Sequence, residues 1–313
     1  MNGWQRRCPA ALRFVPAAFL ACGLVSTARH ASAQSPSDTT SLETARAGSN
    51  GPTLLLIPCM SCRWRSFDTF MERNRERYRM IAVTLPGFGG TSVPELPRNT
   101  GEPVWHRNAI VALSRLIDRE KLDSVIIVAH SFGGDMAVKL AAEHPDVVRA
   151  IVFLDSWPFS DRSWFHESAS ERIAQADSTV TRQSARFADL DEWQRFNTPG
   201  LADPERRLLY HGWFMATPVD VVIQYWRENS ISDLNALWKR IDVPVLDIKA
   251  IPSTTVDPDK ARRDRLDQLR ANGLTSNVRT VFIDGASHFV HESRPAMVDS
   301  LIADFASSLD RRQ

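Results

Sequence analysis

The chain has 313 residues, 43% of them hydrophobic and 24% charged, with a formal net charge of +1. This is the balance of an ordinary globular protein, long enough for one large core carrying an inserted segment. A charge so near zero offers no electrostatic footprint for nucleic acid.

The first 33 residues read separately from the rest. Arg6 and Arg7 precede the apolar run Phe14 to Val25, which is too short to span a bilayer comfortably. Ala31-Ser32-Ala33 follows and matches the small-x-small rule for signal peptidase, so cleavage before Gln34 is expected, with no membrane span left afterwards. The chain is therefore expected to be exported, either periplasmic or secreted. Lipoprotein processing at Cys22 fits less well, because Leu20 sits one place too late. Cleavage would remove four arginines and no acids, so Lys and Arg fall from 38 to 34 against 37 acids, leaving −3. It would also remove Cys8 and Cys22. The remaining pair, Cys59 and Cys62, can form a disulfide in an oxidising compartment or stay as two thiols.

Residues 34–52 read as a polar linker with one short edge strand. Buried strands are predicted at 53–57 (TLLLI), 80–85 (MIAVTL), 125–128 (VIIV) and 147–154 (VVRAIVFL). Helical spacing joins them over 64–78, over 105–119 and from Asp135 to about His144. Residues 156–241 carry no convincing strand, several helical stretches and six of the nine tryptophans, which marks them as an inserted helical lid. Alternation resumes with a strand at 243–248, a charged helix near 258–272, a strand at 278–283 and a closing helix over 295–309. The predicted fold is α/β, a mostly parallel sheet with helices on both faces. Its core would comprise residues 34–155 and 242–313, with the lid at 156–241.

The chemistry concentrates at Ala129-His130-Ser131-Phe132-Gly133-Gly134, where a buried strand turns abruptly into a helix. A serine on such a bend needs small neighbours two residues away on each side, and Ala129 and Gly133 supply them. Its hydroxyl then stands at the carboxyl end of the sheet, where ligands bind in open α/β folds. A serine nucleophile needs a base held by a carboxylate. His288, directly after the last strand, is the favoured base over His291. His130 beside the serine is assigned to packing or tautomer support. The acid has two candidates. Asp155 ends a strongly apolar strand, where a bare carboxylate is costly without a cation or donor. Asp257 precedes Pro258 as a helix N-cap would, so Asp155 is favoured. The oxyanion donors are expected to be the Phe132 and Met60 N–H groups. No zinc set accompanies Cys59 and Cys62, and the mechanism requires no metal or organic cofactor.

The runs Leu-Leu-Ile-Pro58, Thr84-Leu-Pro-Gly-Phe-Gly-Gly90, Ala129-His-Ser-Phe-Gly-Gly134 and Gly285-Ala-Ser-His-Phe289, in that order, resemble the α/β-hydrolases over residues 53–310. The resemblance implies an eight-stranded-type sheet, a lid between the sixth and seventh strands and a Ser-acid-His triad. Ser131 and His288 match the family pattern directly. Pro58-Cys59 replaces the usual His-Gly before the oxyanion residue, and Pro252 and Ser253 stand where the acid after the seventh strand usually lies. Subfamilies that take the acid from the end of the sixth strand share that departure, which favours Asp155. The N-terminal segment also looks short for the family's first hairpin.

Serine at the bend argues against epoxide hydrolases and haloalkane dehalogenases of this fold, which use aspartate as nucleophile. What remains is cleavage of small-molecule esters or lactones, with the lid aromatics Trp157, Trp164, Trp213, Phe214 and Trp226 as candidates to line an apolar acyl pocket. A carbon–carbon bond hydrolase or cofactor-free perhydrolase would share the triad. A non-catalytic binding protein would keep only the scaffold. Oligomeric state is not readable from the sequence.

Overall fold

The computed structural model describes residues 42–157, 168–187, 200–274 and 276–311. The expected signal peptide and the linker up to Ser41 lie outside the described residues.

Seven strands form one sheet: β1 (Glu43–Ala47), β2 (Thr53–Ile57), β3 (Arg79–Thr84), β4 (Val125–His130), β5 (Val148–Leu154), β6 (Val245–Ile251) and β7 (Val278–Asp284). Their order is β1-β3-β2-β4-β5-β6-β7, all parallel except β1, which runs antiparallel to β3. The sheet has seven described strands rather than the expected eight, with a single antiparallel strand at its N-terminal edge, so the strands expected as sixth and seventh are β5 and β6 here. Each apolar run is buried on both faces. Leu54, Leu56, Ile126, Val128, Val152 and Ile248 point to one layer, and Leu55, Ile57, Ile127, Ile151 and Phe153 to the other. That two-sided burial is why the strands read as continuous hydrophobic stretches.

Helices α1 (Asp68–Asn74), α2 (Val104–Glu120) and α3 (Gly133–Glu143) connect the first strands. The helix expected over 64–78 is instead a 3-10 turn, Trp64–Phe67, followed by α1. It stops at Asn74, whose side-chain amide donates back to Phe70 O at 3.0 Å and closes the last turn. After β5 come α4 (Ala169–Phe187), α5 (Pro204–Ala216), α6 (Val219–Ile231) and α7 (Leu234–Trp238). The chain then re-enters the sheet through β6, crosses through α8 (Pro258–Ala271), and ends with β7, the short α9 (Val290–Ser293) and α10 (Pro295–Asp310). The sixth strand is shifted from the expected 243–248 to Val245–Ile251. Pairing with β7 runs on to Ile251 opposite Asp284, and Pro252 ends it.

The helical insertion is fastened to the core by a carboxylate. Pro103 precedes α2 and gives it no side-chain cap. Glu228 of α6, fully buried, accepts the Trp105 N–H at 3.0 Å and the His106 N–H at 2.8 Å, two of the orphan donors of that helix start. Gln224 donates to the same carboxylate at 2.9 Å. Lys139 of α3 donates to His106 Nδ1 at 2.9 Å, so the other ring nitrogen carries the hydrogen and donates to Tyr225 O at 2.9 Å. Glu228→Ala strands these donors away from water. It is expected to cost about 2–3 kcal/mol of stability, read as a lowered urea midpoint. An unchanged midpoint would refute the fastening role.

Candidate active site

β2, β3 and β4 set the site's position. The chain crosses from β2 outward to β3 and then back over to β4 on the other side of β2. The crevice at the carboxyl ends of β2 and β4 is therefore the switch point of the sheet. The loop after β2 carries Pro58 to Cys62, and the turn after β4 carries Ser131.

Ser131 has φ +52°, a left-handed conformation that non-glycine residues rarely hold. The bend is fixed from both sides: the Ser131 N–H donates to Leu154 O at 3.1 Å, and Gly134 N–H donates to Ser131 O at 3.0 Å. The glycines that follow are demanded by contact. A Cβ on Gly133 would lie 2.3 Å from Ile57 O and 2.8 Å from Pro58 O, and one on Gly134 would lie 2.7 Å from Ser156 Cβ. The helix start is thus pressed against the end of β2 on one side and against the residue after Asp155 on the other.

Ser131, His288 and Asp155 are brought together. Ser131 Oγ donates to His288 Nε2 at 3.0 Å, and His288 Nδ1 donates to Asp155 Oδ2 at 2.7 Å. An ionised carboxylate has no proton to give, which fixes the hydrogen on Nδ1 and leaves Nε2 to accept. Asp155 also has a positive φ, +46°, and its N–H is held by Ile248 O at 2.8 Å, so the carboxylate emerges from a rigid strand end. Its other oxygen meets Lys249 Nζ at 2.7 Å and the Ala250 N–H at 3.2 Å. Burial opposes ionisation of Asp155. The Lys249 ammonium and the hydrogen bond from His288 outweigh it and hold the carboxyl well below the usual carboxylate range.

The rejected alternatives have other occupations. Asp257 caps α8, accepting the Lys260 N–H at 2.8 Å, and is exposed. His291 is buried, donates to Ser66 O at 3.1 Å, and is pushed down to about 3 chiefly by burial. His130, also buried, donates from Nε2 to His288 O at 2.9 Å. It thereby braces the loop that carries His288.

Cys59 and Cys62 are joined as a disulfide, with the Cys62 N–H donating to Cys59 O at 3.1 Å across the turn. Met60, inside that turn, and Phe132 both line the cavity over Ser131. Neither of their N–H groups donates in any of the turn and loop hydrogen bonds among the described residues. Phe132 also stands at the start of α3, whose dipole favours negative charge there.

The cavity holds about 590 Å³, within the span of small-ligand sites. Its apolar wall is Met60, Phe132, Trp157, Trp226, Ile251 and Phe282, and its polar groups beyond the triad are Asp135, Asn229, Lys249 and Arg265. Trp157 lines this cavity and is 47% exposed. Trp213 and Phe214 do not: they are buried with Cys59, Cys62, Tyr210, Val222 and Phe289, packing α5 against the disulfide turn and the His288 loop. Their large apolar surface is spent joining the insertion to the core. Trp164 lies outside the described residues. Phe282 was missed because it sits in a strand, where alternation assigns a residue to a layer and not to a pocket, and Lys249 because it falls just beyond the strand expected at 243–248. No group of three or more His, Cys, Asp or Glu side chains is placed to hold a metal ion among the described residues.

A profile of the alpha/beta hydrolase family matches residues 54–300, and the chain belongs to that family. It is 25% identical over 275 residues to 2-(acetamidomethylene)succinate hydrolase of Mesorhizobium japonicum, covering 83% of this chain and 90% of that protein. It is 26% identical over 301 residues to epoxide hydrolase 2 of Siraitia grosvenorii, covering 82% and 92%. The crystal structure of E-2-(acetamidomethylene)succinate hydrolase matches with a TM-score of 0.62 at 21% identity, over 85% of this chain and 95% of that one, a likeness of fold.

Proposed function

We propose that this protein is an exported serine hydrolase that cleaves carboxylic esters or lactones of small, largely apolar substrates through an acyl-enzyme. The observation that carries the reading is the unbroken chain of hydrogen bonds from Ser131 through His288 to Asp155, beginning on a strained bend at the floor of the cavity. In the cycle, His288 Nε2 takes the Ser131 proton as Oγ attacks the ester carbonyl. The carbonyl oxygen becomes an oxyanion facing the Phe132 and Met60 N–H groups. The tetrahedral intermediate collapses, the C–O bond to the alcohol breaks, and His288 returns the proton to the leaving oxygen. Water, deprotonated by the same imidazole, then releases the carboxylic acid and restores Ser131. Asp155 stays ionised throughout and stabilises the imidazolium.

The name of one relative points to epoxide opening, a reaction that on this fold uses an aspartate at the position Ser131 occupies. Export is supported by the Arg6-Arg7 start, the apolar run and Ala31-Ser32-Ala33, together with the disulfide at the two cysteines that cleavage would leave.

The test is a panel of p-nitrophenyl esters of increasing acyl length and of simple lactones, offered to the purified protein. Turnover of short and medium esters or lactones, abolished in His288→Ala, is expected. Turnover of none, with cleavage of diketones instead, would replace ester hydrolysis by carbon–carbon bond hydrolysis on the same triad.

A further inference from the structure

A serine triad asks nothing of Asp155 beyond its bond to His288, yet the other oxygen of this carboxylate is held by a buried ammonium. Lys249 is 6% exposed, sits within β6, and reaches both Asp155 Oδ1 at 2.7 Å and Ser156 O at 3.3 Å. The Trp157 ring covers it, with Nζ 4.4 Å from the ring centroid. Burying an ammonium is expensive, and here the cost is offset by a carboxylate that also holds His288. The cation is therefore accounted for by what it does to the carboxylate.

Two effects follow. Clamped by Lys249 and the Ala250 N–H, the carboxylate cannot rotate away from His288 Nδ1. The second is electrostatic. An imidazolium at His288 gains from the negative charge of Asp155, and an ammonium on the same carboxylate offsets that gain. The other charged and titratable groups near this imidazole do not duplicate the contact. His130 and His291 lie behind it on β4 and α9, and burial drives both well below the ordinary imidazole range. Asp135 of α3 faces the cavity with Asn229 beside it and Lys139 behind. Arg265 of α8 is engaged in a bidentate pair with Asp247 at 2.8 and 2.9 Å.

We propose that Lys249 is a positioning residue that fixes the Asp155 carboxylate on His288 and holds down the basicity of that imidazole, so that catalysis persists into mildly acidic medium. The inference rests on the serine-hydrolase reading above. Its test is the pH dependence of kcat/KM for a p-nitrophenyl ester, with the rate of Ser131 labelling by a fluorophosphonate measured alongside. Wild type is compared with Lys249→Met, Lys249→Gln and Lys249→Arg. Loss of the cation stabilises the imidazolium, so the base stays protonated to higher pH. The acidic limb is expected to move up by about one pH unit in the Met and Gln variants. The Arg variant, which restores the charge, should keep the wild-type limb. A purely structural lysine would lower the melting temperature and the amplitude of the profile without moving the limb. Should the Met variant fail to fold, the Gln variant, which retains a donor toward Asp155, carries the comparison. An unmoved limb in Lys249→Gln, with normal labelling of the wild type, overturns the inference and leaves the hydrolase reading standing. A wild type that neither labels nor turns over ester overturns the reading itself.

Discussion

Ser131→Ala is expected to lower kcat for ester cleavage by roughly three to six orders of magnitude, with little change in KM. The magnitude follows from what is lost. Without Oγ no acyl-enzyme forms, and the residual rate comes only from a substrate bound against the oxyanion donors and a water activated by His288. The substitution should leave the fold intact. The left-handed bend at residue 131 is imposed by the hydrogen bonds to Leu154 O and from Gly134 N–H, and by the contact of Gly133 with the end of β2. Alanine meets the same backbone constraint as serine. A circular dichroism spectrum and melting temperature close to wild type, with turnover gone, is the expected pair of results. Unchanged turnover would remove the mechanism.

The second large effect separates the two carboxylates. Asp155→Asn is expected to lower kcat by about four orders of magnitude, because an amide at this position can donate to Nδ1 and trap His288 in the wrong tautomer. It also leaves the buried Lys249 ammonium without its counter-charge, so a loss of stability should accompany the loss of rate. Asp257→Asn keeps an N-capping side chain at the start of α8 and is expected to change kcat by no more than about two-fold, since capping by Asn and Asp is nearly equivalent. Steady-state kinetics on the two variants decide the assignment. A large loss in Asp257→Asn with Asp155→Asn near wild type would reverse it.

Much of this arrangement could be read from the chain because its signals are local. The buried runs at β2, β4 and β5, the small residues around Ser131 and the Asp-Pro start of α8 each concern a few neighbouring residues. The placement of His288 after β7 and of Asp155 after β5 followed from one rule, that the carboxyl ends of parallel strands meet at one edge of the sheet. What escaped was set by distant partners. Lys249 was read as lying past the end of its strand, and nothing near it in sequence announces a carboxylate that comes 94 residues earlier. Glu228 likewise caps a helix whose start lies more than a hundred residues before it. Trp213 and Phe214 show the limit of composition. Aromatic residues in an insertion bury surface wherever the insertion meets the core, and only the packing decides which of them, like Trp226, face the cavity. The helix expected over 64–78 broke because Asn74 turned its side chain back on the preceding turn, a local competition that apolar periodicity does not register.

Every step of the proposed cycle depends on the Ser131 hydroxyl as nucleophile. The most direct test of that role is peptide mapping by mass spectrometry after treatment with a fluorophosphonate. One phosphonyl group per chain is expected, on the peptide containing Ser131, with no adduct in Ser131→Ala and a sharply slowed reaction in His288→Ala. Ester hydrolysis by a chain that takes up no label, or label carried by a different serine, would contradict that role.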